Sequence, residues 1–367
     1  MRPVSLIIKP VSGACNMECG YCFYRGLPGH NRGVMSLSTA QNIVDAVFAE
    51  ASGPVSFAFQ GGEPTLAGVD FFRAFSGLVK KANVRGLPVS FSLQTNGIVA
   101  DEELCSFFAR EKYLIGISLD GCAEVHDRHR KLNGGATFDK VKAGIDAYRR
   151  AGAEVNILTV VTGDLCNNID RCWRVLADMG LPCLQFILCL EGQDGYTHGC
   201  APTPGEYGRF LVRSFDLWMG HIRAGDYISV RLFDNLVAGV LGYPCELCSQ
   251  AGICTNQLVV EADGSVYPCD FYVTEENCLG NINRECLSAL INSSIAREFV
   301  GSRPSSKNAC GNCRWFSLCR GGCRREFGSG EKTAWCKAWK HFFASREDEL
   351  LFAADLVRRG LIKTERI

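Results

Sequence analysis

Cys15-Asn16-Met17-Glu18-Cys19-Gly20-Tyr21-Cys22 places three thiols on one short stretch, spaced C-x3-C-x2-C. Three is an odd count for a structural metal site, because zinc or a fully ligated iron–sulfur cluster takes four protein ligands. Three thiolates on a four-iron cluster leave one iron without a protein ligand, and an open position lets a metal centre do chemistry as well as hold a fold. Tyr24, just past Cys22, is an aromatic placed to pack beside whatever binds there. The competing reading is three inert core cysteines. The strand-like segment directly before the run and the glycine within it favour the metal.

Outward from this run the chain alternates strands and helices. Val4–Ile8 reads as a buried strand and Ser36–Glu50 as a helix with Ser38 as its N-cap. Strands follow at Val55–Phe59, Val89–Leu93, Tyr113–Leu119, Val155–Val161 and Cys183–Leu190. Helices are expected at 69–79, 101–109, 138–150, 169–179 and 207–223. Six such units predict an α/β fold with a mostly parallel sheet, an open, partial (β/α)6 barrel. Polar motifs fall at the carboxyl ends of these strands, the face on which parallel barrels build active sites. Gly61-Gly62-Glu63-Pro64 offers a bare backbone edge there. Gln60, Gln94, Asn96 and Gln185 also end strands and are expected to face the pocket or the substrate. His126 and His129, read as surface histidines beside charges, are not proposed as metal ligands.

Beyond residue 235 the composition changes, which divides the chain into residues 1–235 and 236–367. Leu236–Tyr243 leads into Cys245, Cys248 and Cys254; a hairpin turns at Asp263-Gly264; Cys269-Asp270 follows. A helix is expected over Leu287–Phe299 and a last one from about Lys337 to Arg359. Between them lies Cys310-x2-Cys313-x5-Cys319-x3-Cys323, with Cys336 beyond. No apolar core forms from such a run unaided, so it needs a metal staple, and one or two zinc sites would serve.

The first run resembles the signature of the radical S-adenosylmethionine (radical SAM) superfamily, and the last third is similar to its SPASM domain. The resemblance implies three [4Fe–4S] clusters and S-adenosyl-L-methionine as cofactors. Cys15, Cys19 and Cys22 would hold the first cluster. Cys248, Cys254, Cys269 and Cys323 would hold the first auxiliary cluster, with Cys245 a rival to Cys248. Cys310, Cys313, Cys319 and Cys336 would hold the second. Tyr24, Gly62, Ser118, Arg130 and Leu190 match the positions that contact SAM, Arg130 facing its carboxylate. The ten remaining cysteines are read as small apolar fillers or surface thiols. Ser56–Gly68, Tyr267–Tyr272 and Cys319–Arg325 narrow the resemblance to the anaerobic sulfatase-maturating enzymes. These oxidise a Cys or Ser of a sulfatase to Cα-formylglycine, the radical taking a hydrogen from the substrate Cβ. Asp270, next to a ligand, is then the expected general base. The Gly192–Thr203 loop and Val230–Asp234 are expected at the peptide groove.

Two rivals remain. A maturase of ribosomal peptides shares the cofactors but often carries an N-terminal leader-binding domain, and a first strand at residue 4 leaves no room for one. A zinc-stapled binding protein needs no catalysis. Net charge zero argues against duplex nucleic acid or an anionic membrane as partner. No apolar run has membrane-spanning or signal character, so a cytoplasmic protein is expected. There, 21 cysteines mean metal binding rather than disulfides, and the odd count agrees. An electron donor such as flavodoxin or ferredoxin and a sulfatase polypeptide are the expected partners.

Overall fold

Val4–Ile8 forms β1, with Val4, Leu6 and Ile8 buried as a period of two requires. The computed structural model describes residues 3–24, 30–192, 198–302, 307–327 and 331–362. After β1 come α1 (Leu37–Glu50), β2 (Val55–Phe59), α2 (Val69–Ala82), β3 (Val89–Thr95), α3 (Glu102–Arg110) and β4 (Leu114–Ser118). Next are α4 (Ala123–His129), α5 (Phe138–Arg150), β5 (Glu154–Val161), α6 (Gly163–Asn167), α7 (Ile169–Asp178), β6 (Cys183–Leu188) and α8 (Pro204–Ala224). The last third holds β7 (Ser229–Val230), α9 (Arg231–Leu241), α10 (Cys248–Ala251), β8 (Val259–Val260), β9 (Ser265–Tyr267) and β10 (Gly280–Asn281). It ends with α11 (Leu287–Ile291), α12 (Ser294–Gly301), α13 (Lys307–Cys310), α14 (Phe316–Cys319) and α15 (Cys336–Arg358).

Two local expectations change. Ser36, not Ser38, caps α1: its extended backbone lets the hydroxyl accept from Thr39 N, while Ser38 already lies inside the first turn. The helix expected over Leu287–Phe299 is two helices, because the Ser293 hydroxyl caps α12 by accepting from Ala296 N at 3.1 Å.

The chain divides into two compact units that cut across the compositional boundary near residue 235: residues 1–118, 130–155 and 255–302, and residues 119–129, 156–254 and 303–367. In the first, β1 pairs in parallel with β2, Val4 opposite Val55 through Ile8 opposite Phe59. Strands β3 and β4 continue the parallel sheet. On its other side β1 pairs in parallel with β8, Ile7 opposite Val259, and β9 and β10 follow antiparallel. The hairpin at Asp263-Gly264 is therefore an extension of the first strand's own sheet. Helix α2 turns Phe72 and Phe75 onto Phe59, ring centroids 5.2 and 5.1 Å apart. Burial of each such ring contributes about 2–3 kcal/mol.

In the second unit β5, β6 and β7 run parallel. Helix α8 starts with a Thr203–Glu206 capping box, and its Phe215 meets Phe233 at 5.2 Å and Phe342 of α15 at 5.3 Å. Phe233 is fully buried and Asp234 accepts from the Tyr227 and Ser229 hydroxyls. Both thus face their own unit's interior, where a peptide groove was expected. The α/β strand–helix fold expected from the sequence is present, its parallel sheet not closed by hydrogen bonds among the described residues. None of the described helices is long and apolar enough to cross a membrane.

A Cβ on Gly144 of α5 would lie 2.0 Å from the Gly97 carbonyl oxygen. Gly144→Ala is therefore expected to cost about 1–3 kcal/mol, read as a lower denaturant midpoint. An unchanged midpoint would contradict this close approach.

Candidate active site and cluster-binding sites

The three-thiol loop leaves β1 at Lys9 and is held by backbone alone where a side chain would not fit. Gly62 N donates to Ser12 O at 2.7 Å and Glu63 N to Ala14 O at 2.8 Å. A Cβ on Gly62 would sit 2.0 Å from Ala14 O. With its N–H engaged, Gly62 has its carbonyl left to accept from an ammonium. Glu63 is fully buried and accepts from Thr65 N and Oγ1, Thr95 Oγ1 and Asn96 N at 2.6–3.1 Å. Burial still pushes its carboxyl up. Asn96 Nδ2 donates to Asn16 Oδ1 at 2.7 Å and lies 3.9 Å from Cys15 Sγ, so this strand end does face the thiols.

As residues Cys15 is exposed and Cys19 and Cys22 half-buried, beside buried Met17 and Tyr21, although the Cys15 thiol itself is crowded by its surroundings. Burial, then the charges of Glu63 and Cys22, raise the Cys15 thiol above its ordinary range. Arg130 Nη1 lies 3.8 Å from Cys19 Sγ and its guanidinium 5.4 Å from the centre of the Tyr21 ring. A buried cation beside a thiol of this loop suits both an anionic cluster and a carboxylate. Ser118 is half-buried at the end of β4 and Gln60 half-buried after β2, while Gln94 is exposed. In the second unit Gln185 accepts from Arg231 at 3.2 Å, and the Leu190 carbonyl lies 3.1 Å from His198 Nε2. Residues 193–197 of the expected groove loop lie outside the described residues. His126 is no surface residue: it is fully buried and its Nδ1 accepts from Asp120 N, while His129 meets Asp164 at 2.8 Å.

Asp270 opens a single 3-10 turn directly after Cys269, and the Phe271 ring lies 5.0 Å from Phe23 of the thiol loop. Its carboxylate pairs with the Lys9 ammonium. Tyr24 is buried, and its hydroxyl accepts from Lys9 and donates to Glu261 at 2.8 Å. Burial, then the charges of Asp270 and Glu261, push this phenol far up. Burial, then Lys9 and Arg32, push His30 down. Sequence reading missed Lys9 and Glu261. Their signal was a charge at the end of an apolar strand that turns out wholly buried.

In the second unit Cys248, Cys254 and Cys323 come within electrostatic reach of one another. Gly252 permits this, since a Cβ there would strike Arg320 at 2.6 Å. The Cys245 thiol donates to the Asn235 carbonyl at 3.5 Å. Cys310, Cys313, Cys319 and Cys336 line one pocket with Trp315, Trp339 and Phe343. Burial raises Cys319 to about 11 and Cys323 to about 12. Such thiols keep their protons until a metal displaces them. Trp315 Nε1 is buried with no hydrogen-bond partner among the described residues, a donor for which a cluster sulfur would be the acceptor. The donor sets therefore fit iron–sulfur clusters. Among the described residues no three His, Cys, Asp or Glu side chains are placed to hold a single metal ion. Of the ten unassigned thiols, Cys105, Cys122, Cys166, Cys172, Cys183 and Cys189 are buried and Cys286 exposed, as fillers and surface thiols should be.

Comparison with known proteins agrees with this geometry. Residues 10–178 match the model of the radical SAM superfamily, and residues 248–314 that of the SPASM iron–sulfur cluster-binding domain. A cysteine-type anaerobic sulfatase-maturating enzyme of Clostridium novyi is 39% identical over 96% of this chain and 98% of its own length. The chain belongs to the anaerobic sulfatase-maturating enzyme family. A serine-type member from Klebsiella aerogenes is 28% identical over 93% of this chain and 85% of its own. The solved structure of native anSMEcpe with bound AdoMet is 38% identical and superposes with a TM-score of 0.91 over 97% of this chain and 100% of its own. As a radical SAM and SPASM protein of this family, the chain is an enzyme built for SAM and [4Fe–4S] clusters.

Gly62→Ala is expected to displace the three-thiol loop, lowering anaerobically reconstituted iron by about four atoms per chain, one cluster's worth. Full iron content in that variant would contradict the contact.

Proposed function

We propose that this protein oxidises a cysteine of a sulfatase polypeptide to Cα-formylglycine under anaerobic conditions. The observation that carries the reading is the meeting of Asp270 with the three-thiol loop through Lys9 and Tyr24. The end-to-end likeness to a cysteine-type enzyme supports cysteine over serine as the target. A related structure, native anSMEcpe, has been solved with AdoMet and the Cp18Cys peptide, which supports a peptide segment as the form of substrate recognised.

When bound, SAM and the clusters supply the one-electron chemistry: a 5′-deoxyadenosyl radical that removes the Cβ hydrogen, and an acceptor for the second electron. Cys15, Cys19 and Cys22 would hold the cluster that takes SAM. Gly62 would accept from the SAM amino group and Arg130 would face its carboxylate, and Ser118 and Leu190 are the residues the family resemblance assigns to the rest of SAM. Asp270, with 22% of its side chain exposed beside the site, accepts the substrate thiol proton. Loss of a hydrogen atom, a proton and an electron leaves a thioaldehyde, which water converts to the aldehyde and hydrogen sulfide. The family resemblance assigns Cys248, Cys254, Cys269 and Cys323 to one auxiliary cluster and Cys310, Cys313, Cys319 and Cys336 to the other. Residues 1–235 carry the SAM chemistry and residues 236–367 the auxiliary clusters. A flavodoxin- or ferredoxin-type donor and a cytoplasmic setting complete the reading.

The test is anaerobic incubation with SAM, a reductant and a sulfatase-derived cysteine peptide, followed by mass analysis. The expected product is the aldehyde peptide with deoxyadenosine; a crosslinked or unchanged peptide would favour a peptide-crosslinking maturase. Asp270→Asn is expected to keep cleaving SAM while aldehyde yield falls about 100-fold or more, the scale of a lost general base. An unchanged yield removes Asp270 from the reaction.

A further inference from the structure

Lys9 is a lysine that no surface role explains. It follows an apolar strand, its side chain is 1% exposed, and its Nζ meets the Asp270 carboxylate and the Tyr24 hydroxyl. A buried ammonium is tolerated only where it is paired and hydrogen-bonded. The stem is fixed as firmly as the head. A Cβ on Gly61 would lie 3.2 Å from both Cβ and Cγ of Lys9, so the bare Gly61 backbone walls the stem. Nζ also lies 3.6 Å from the Tyr24 ring centre. Tyr24 is held in turn, donating to Glu261 Oε1 at 2.8 Å. Glu261 is fully buried and follows β8, whose pairing with β1 sets it beside Lys9.

Asp270 has few other anchors. It begins a three-residue turn without a side-chain cap, and the packing next to it is made by Phe271 rather than by its own side chain. Among the described residues the cation paired with its carboxylate is Lys9, with the His30 imidazole also within electrostatic reach, so the orientation of the carboxylate depends chiefly on that ammonium. That contact leaves 22% of the side chain exposed, which is the edge available to a substrate.

We infer that Lys9 is a positioning residue for the reaction: anchored by Tyr24 and Glu261, it aims the Asp270 carboxylate at the substrate thiol. Tyr24 then serves the site from beneath, through its hydroxyl, rather than only as a surface against the cofactor. The inference rests on the reading of Asp270 as the base.

Lys9→Met keeps the length and packing of the stem and removes the charge. It is expected to retain iron content, melting temperature, deoxyadenosine formation and peptide KM. Its kcat for aldehyde should fall about ten-fold or more, because a misplaced reacting group costs up to about 100-fold. Aldehyde formed per deoxyadenosine should fall with it, a change a merely structural role would not produce. Lys9→Met combined with Asp270→Asn should be no worse than Asp270→Asn alone, because both remove one device. Wild-type coupling in Lys9→Met, or additive losses in the double variant, would overturn the inference. Should Lys9→Met fail to fold or take up iron, Tyr24→Phe and Glu261→Gln carry the test. Each loosens Lys9 and should lower coupling in the same direction, and wild-type coupling in both overturns it. No aldehyde from the wild-type protein would sink the functional reading itself, whereas aldehyde from wild type with full coupling in Lys9→Met sinks only the role of Lys9.

Discussion

Two backbone hydrogen bonds, Ile7 N to Leu258 O at 3.1 Å and Lys9 N to Val260 O at 2.9 Å, join the first strand to a hairpin from the far end of the sequence. Much of the candidate site depends on that seam. It fixes register, and with a side-chain period of two a slip of one residue would turn Glu261 away from Lys9. The same hairpin continues through Tyr267 to Cys269 and Asp270, so the seam brings a thiol and a carboxylate of the last third into the compact unit of the three-thiol loop. A compositional boundary near residue 235 separates these segments along the chain; β-pairing reunites them.

On the other side of β1 the constraint is steric. The Gly61-Gly62 backbone lies against Ser12 and Ala14 so closely that no side chain would fit, and Glu63 gathers four donors beneath it. Two glycines, a buried carboxylate and Asn96 therefore set the path of the loop that carries Cys15, Cys19 and Cys22. An uncompensated carboxylate there would be costly, and the four hydrogen bonds offset much of that cost. The result is a loop anchored from within by Met17 and Tyr21, with Cys15 exposed and Cys19 and Cys22 half-buried. Rigid support of this kind is what a reaction with a radical needs, since freedom at the site would open side reactions.

Much of this was legible in the chain. Strands Val4–Ile8 and Val55–Phe59 announce themselves as short apolar runs ended by glycine or proline, and their bounds agree with the structure. Cysteine spacing singled out the first three thiols and the run from Cys310 to Cys323. What stayed hidden needed tertiary contact. The hairpin strand at Val259–Val260 was expected, but its parallel pairing with the first strand was not, because the partner lies near the start of the sequence. Cys245 and Cys248 look alike in sequence; the structure brings Cys248 within electrostatic reach of Cys323, beside a Gly252 turn packed on Arg320. His126 reads as a surface residue because its neighbours are charged, yet it is buried and its ring accepts from Asp120 N.

The account's central claim is that a hydrogen leaves the Cβ of a substrate cysteine. It is tested most directly by supplying a sulfatase-derived peptide whose cysteine carries deuterium on Cβ. Mass analysis of the 5′-deoxyadenosine formed should find one deuterium, matched by aldehyde in the peptide. Unlabelled deoxyadenosine accompanying a full yield of aldehyde would contradict the claim.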